Sequence, residues 1–186
     1  VTRNQSASPT RIRFGSRPRV TAGFVKREEQ DKLFEAVLTC AEPRTVLTGM
    51  RGSGKTQLAA TVATRCEEEG WPLVAWIDAD SRDTLITNLY NLALQAGIEA
   101  PKDVPPETIV QRFLDQLRSA DAEDRLFVFD NVENLDDLKG LAPEGDGARI
   151  IITTTRHLDW DSLGWFLLTV GIFEREQSIA LLCQHT

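Results

Sequence analysis

Cysteine, histidine and long apolar runs are all scarce in this chain, and each scarcity excludes a class of protein. Cys40, Cys66 and Cys183 are odd in number and widely spaced, so reduced thiols are expected rather than a disulfide framework. The two histidines, His157 and His185, cannot complete a usual zinc site with them. No apolar run approaches the roughly 20 residues of a membrane helix, and no signal-peptide pattern precedes the domain. A soluble, cytoplasmic protein with no membrane partner is therefore expected. Acidic residues are missing from one region: residues 1–27 hold seven of the 21 Lys and Arg and no acid, which leaves 14 basic residues against 28 acidic ones beyond. That acidic remainder does not suit a general nucleic-acid binder.

What is present is enough for one α/β domain with a sizeable core in 186 residues. Residues 1–22, with Arg3, Arg11, Arg13, Arg17 and Arg19 among Ser, Thr and Pro, read as a flexible basic arm; residues 23–186 read as the domain. The chain starts at Val1 and stops straight after a helical pattern, so neighbouring modules are expected on at least one side.

The dominant feature is Gly49-Met50-Arg51-Gly52-Ser53-Gly54-Lys55-Thr56, which satisfies G-x-x-x-x-G-K-[ST]. Thr45–Thr48 before it reads as a buried strand, and Gln57 to Glu69 after it as a helix. Gly49, Gly52 and Gly54 allow positive φ and bring backbone N–H groups, with those of Ser53 and Gln57 beside them, close to phosphate oxygens. The helix then directs its N-terminal donors and positive dipole end at the same anion. Lys55 is placed to reach the β- and γ-phosphates, and the Thr56 hydroxyl to ligate Mg2+.

Around this loop, helical and apolar segments alternate. A helix of about a dozen residues carries Leu33, Phe34, Val37 and Leu38 at helical spacing. Leu73–Ile77 is a continuous apolar run, as in a strand covered on both faces, followed by Asp78, Asp80 and Ser81; Asp80 or Ser81 caps a helix over Asp83–Ala96. A further helix spans Glu107–Ser119, and strands are expected at Arg125–Asp130, Ala148–Thr155 and Trp165–Val170, with a short helical turn at Leu135–Leu138 and a closing helix over Glu174–Gln184. The alternation predicts a mainly parallel five-stranded sheet wound with right-handed crossovers, and with the phosphate loop it resembles the three-layer α/β sandwich of P-loop NTPases of the additional-strand type. In it, the intervening strand Leu73–Ile77 is expected to lie between the loop strand and the acid strand. The ligand is expected at the carboxyl edge of the sheet.

Asp130 closes an apolar strand in the form that holds Mg2+ opposite a phosphate loop. The next residue, Asn131, is an amide and cannot take a proton from water as a carboxylate can. Glu133 and Asp136 are nearby acids that read equally as surface residues or helix caps. Arg156 ends the fourth strand; its guanidinium either reads the γ-phosphate or is simply exposed.

Jointly, Phe24–Glu28, Gly49–Ala59, Trp76-Ile77, Phe127–Val132 and Ile152–Arg156 resemble the nucleotide-binding domain of STAND-class signal-transduction NTPases, NB-ARC branch. That group includes plant disease-resistance proteins, apoptosome scaffolds and bacterial regulators. The resemblance implies that the backbone at Val25 reads adenine, that Arg27 lies near the nucleotide, and that Arg156 is a phosphate sensor. It departs from the family pattern at Lys26 and Arg51, where glycine is usual, and at Asn131, where a second Asp is common; no segment matches the winged helix that completes the pocket around ADP. The expected function is an ATP- or ADP-binding regulatory switch with Mg2+, hydrolysing slowly at most, in which Lys55, Asp130 and Arg156 carry what catalysis there is. Winged-helix, repeat-sensor and effector modules, and nucleotide-dependent self-association, are the implied partners. The alternatives are a fast ATPase or phosphotransferase and a nucleotide-free scaffold.

Overall fold

The computed structural model describes residues 11–20, 28–39, 42–120 and 123–171. A parallel sheet of six strands forms the middle layer. In chain order the elements are β1 (Ile12–Phe14), α1 (Glu28–Leu38), β2 (Arg44–Thr48), α2 (Lys55–Glu68), β3 (Leu73–Asp78), α3 (Arg82–Gln95), α4 (Pro106–Ser119), β4 (Arg125–Asp130), β5 (Ala148–Thr154) and β6 (Phe166–Thr169). A 3-10 turn at Leu135–Leu138 follows β4. The expected closing helix falls outside the described residues.

The central strands read as unbroken apolar runs because both faces are covered, yet their side chains still alternate. Ala75, Ile77, Phe127, Phe129, Ile150 and Ile152 pack with Leu85 and Leu89 of α3 and Ile109 and Phe113 of α4. Val74, Trp76, Leu126, Val128 and Ile151 face the other way, onto Leu33 and Val37 of α1 and Leu58 and Val62 of α2. Ser81 caps α3, its hydroxyl accepting from the Thr84 amide at 3.3 Å.

Two expectations are corrected. The strand order is β1-β3-β4-β5-β2-β6, so the strand lying between loop strand β2 and acid strand β4 is β5, not Leu73–Ile77. β3 pairs on the far side of β4, with Asp78 in register with Asp130. Four equally apolar strands carry no order in their composition; order comes from the connections. The sheet also has six strands rather than five, because Ile12–Phe14, within the expected arm, pairs in parallel with Leu73–Ala75.

That segment is held by specific contacts. The Ile12 amide donates to the Pro72 carbonyl at 2.8 Å, and Gln95 Nε2 donates to the Arg13 carbonyl at 3.1 Å. Arg17 reaches Glu67 of α2 at 3.0 Å. Gly15 has φ of +85°, and a Cβ there would stand 1.9 Å from the Trp76 carbonyl oxygen, so the close approach needs glycine. Ile12 and Phe14 pack against one core and Val20 against the other.

Candidate nucleotide site

The loop between β2 and α2 turns on Gly49, Gly52 and Gly54, with φ of 147°, 81° and 94°. A Cβ on Gly49 would lie 2.4 Å from the Val170 carbonyl oxygen, so this glycine also admits the strand-end backbone beside it. Gly54 is the N-cap of α2 and gives it no side-chain hydrogen bond. α2 has no acid in its first turn, whereas α1, α3 and α4 all do. Acids in the first turn meet the dipole of α1, α3 and α4, and Ser81 also caps α3; α2 has neither, and its N-terminus is open to an external anion.

Lys55, 8% exposed, donates to the carbonyls of Gly49 and Met50, both at 2.9 Å. An ammonium has three donors, so one remains for another acceptor. Burial lowers its pKa from the ordinary lysine value, and the charge of Asp130 opposes that shift. An anion next to Lys55 would therefore relieve a desolvated cation.

Asp130, 7% exposed, sits beneath the loop. Its Oδ1 accepts from Thr56 Oγ1 at 3.1 Å and from Thr153 Oγ1. Thr153 in turn accepts from the Asn131 amide at 3.0 Å, and Asn131 takes a left-handed φ of 64°, which asparagine tolerates better than most residues. The 3.1 Å approach of the Thr56 hydroxyl, on the cavity wall, to the Asp130 carboxylate beneath it brings together hard oxygen donors of the kind Mg2+ takes, with water and phosphate to complete the set. Among the described residues no group of three or more His, Cys, Asp or Glu gathers as a protein-only metal cage.

A cavity of about 630 Å3 opens over these residues, lined by Arg51, Gly52, Gly54, Lys55, Thr56 and Gln57 on one side and by Asp78, Asp80, Asn131, Val132, Glu133 and Thr153–Thr155 on the other. Of the expected site residues, Gly52, Gly54, Lys55, Thr56 and Gln57 line it. Gly49 and Ser53 shape the loop without lining it, and Asp130 lies just below. Arg156 is not on the wall: its Nε donates to the Glu133 carbonyl at 3.1 Å and its guanidinium stands 3.7 Å from the Glu133 carboxylate. Asp136 pairs with Lys139 at 2.8 Å, outside the cavity. Val25 and Arg27 lie outside the described residues.

Sequence reasoning missed Thr153 and left Asp78 as a mere strand end. The signal was positional: Thr153 is on the strand beside Asp130, and Asp78 is the register partner of Asp130, so both become visible only with the strand order.

Comparison with solved structures places this architecture among known P-loop folds. Similar chains include Cdc6p from Pyrobaculum aerophilum, with a TM-score of 0.69 and 17% identity, covering 90% of this chain and 51% of that one. The ORC2 protein of Aeropyrum pernix gives 0.59 and 20%, covering 97% and 54%. AMPPCP-bound DnaA from Aquifex aeolicus gives 0.52 and 16%, covering 87% and 52%. The chain thus spans about half the length of these relatives. No curated protein matches. A family model described as "NB-ARC domain" matches residues 26–186, and the chain belongs to that family as a nucleotide-binding P-loop NTPase domain.

Proposed function

We propose that the domain is an ATP/ADP-binding regulatory switch whose hydrolysis is slow. The observation that carries the binding half is the start of α2: no side-chain cap, no first-turn acid, and a desolvated Lys55 beside it. Backbone amides from Gly52 to Gln57 hold the phosphates, Lys55 donates to the β- and γ-oxygens, and Thr56 with Asp130 holds Mg2+. Bound there, the ion neutralises charge on the phosphates. Thr153 keeps the Asp130 carboxylate turned towards Thr56. Adenine nucleotides are favoured by the fold's company: a similar DnaA is described with AMPPCP, and a similar ORC2 protein with ADPNP and ADP. Val25 and Arg27 are assigned to the adenine side by family resemblance.

The switching half rests on Asn131 in the place where a water-activating carboxylate often stands. Arg156, engaged by Glu133, becomes a sensor by exchanging that partner for the γ-phosphate. Neighbouring winged-helix, sensor and effector modules read the difference between the two nucleotide states, in a cytoplasmic protein, with self-association as the output. Calorimetry with Mg-ATP and Mg-ADP, followed by turnover, tests the reading. Micromolar or tighter binding with less than about one turnover per minute is expected; several turnovers per second would replace the switch with a working ATPase. Unchanged thermal stability at saturating nucleotide would remove the binding claim.

A further inference from the structure

Asn131 leaves the water-activating position without a base, and the neighbouring strand puts a carboxylate at the same height. Asp78 is in register with Asp130 on adjacent parallel strands, about 4.8 Å apart in such a sheet. The backbone is fixed there: the Ala79 amide donates to the Asp130 carbonyl at 2.9 Å, and Ala79 is 2% exposed. Asp78 lines the cavity that also holds Lys55 and Thr56. Its carboxylate has no hydrogen bond or ion pair to another described residue, while its backbone belongs to the β3–β4 ladder.

The other acids at the cavity are placed for different work. Asp130 accepts from Thr56 and Thr153, and Glu133 pairs with Arg156. Asp80 lies beyond the end of β3, next to the residue that caps α3, on exposed chain. Asp78 alone combines a rigid strand position, a free carboxylate and access to the cavity.

We propose that Asp78 is the carboxylate that orients the attacking water in hydrolysis of the bound nucleoside triphosphate, an inference that rests on the nucleotide reading above. The water oxygen forms a bond to the γ-phosphorus. The bond from that phosphorus to the β–γ bridging oxygen breaks, and its electron pair leaves with the diphosphate. The water proton passes to Asp78 and on to solvent. An exposed carboxylate supplied from one strand away is expected to support a slow reaction rather than a fast one.

The test uses the 186-residue chain and two readouts, single-turnover hydrolysis of Mg-ATP and calorimetric binding of ADP with and without aluminium fluoride, which mimics the transferring phosphoryl group. Asp78→Asn is expected to lower turnover about 100-fold or more. It should leave the Kd values for ATP and ADP within about threefold and weaken binding of ADP with aluminium fluoride at least about tenfold. Asp78→Glu is expected to retain part of the rate. Unchanged turnover in Asp78→Asn overturns the assignment, as does an equal loss of ADP affinity, or a loss seen in Asp80→Asn alone. An unaltered chain that binds ATP and never hydrolyses it overturns the role of Asp78 while sparing the nucleotide reading; one that binds no ATP overturns both.

Discussion

Thr153 shows how much of the site depends on one hydroxyl. It donates to Asp130 while accepting from the Asn131 amide, so it fixes both residues at the end of β4. Thr153→Val keeps the shape and removes the donor, and should cost about 1–3 kcal/mol because a buried carboxylate loses a charge-assisted partner. Chemical denaturation checks the stability, and the Mg2+ dependence of ATP binding checks the site; a neutral result in both would mean that Thr56 alone holds Asp130. Lys55→Ala should leave the fold intact and weaken ATP binding by about 1.5–3 kcal/mol, roughly 10- to 150-fold in Kd by calorimetry. Cys66, fully buried in α2, has its thiol pushed up to about 12 by burial. Its neutral form is the one the fold favours. The stability it contributes is whole below the unfolded value of 9.0 and is lost as pH rises from there towards about 12. Near neutral pH the thiol therefore stays protonated. Alkylation followed by peptide mass spectrometry should therefore find Cys66 unmodified in the native protein and modified in denaturant.

Among the elements, β2, α2 and β4 were legible because their signals are local: an apolar run, a glycine-rich turn with Lys and Thr, an apolar run closed by acid. β1 was not, since Ile-Arg-Phe is too short and sits in Arg- and Ser-rich surroundings that read as linker. Its strand character comes from β3 and from Gly15, which lets the chain pass against the Trp76 carbonyl. Gly15→Val is accordingly expected to lose about 1–3 kcal/mol by denaturation, from a strained positive φ and a backbone clash, and to release β1. Faster amide exchange at residues 73–75, with the phosphate loop unchanged, is the accompanying sign. Strand order was also hidden, and with it the placement of Thr153 and Asp78. Register across a parallel sheet is a long-range property that no short motif encodes.

For the whole molecule, one cavity at the carboxyl edge of the sheet brings together residues that span 51 to 155 of the chain. A ligand that fills it ties β3, β5, α2, the phosphate loop and the turn after β4 into one unit, so stabilisation on binding should be global. At a nucleotide concentration about 100-fold above Kd, mass action gives about 2.7 kcal/mol. For a domain of this size that is a rise in melting temperature of about 5–10 °C. A rise confined to one phase of a split transition would mean that the loop unfolds apart from the sheet. Among the described residues no helix is long and apolar enough to cross a membrane.

The family match begins at residue 26, yet the sheet begins at residue 12. A recombinant version trimmed to the family boundary would uncover the ladder of β3, including the amides and carbonyls that now meet Ile12–Phe14. An open edge of that kind invites another chain to add its own strand. The practical boundary for grafting this domain into a chimera is therefore upstream of Arg11, and a version cut at residue 26 is expected to aggregate where the longer one stays monodisperse by light scattering.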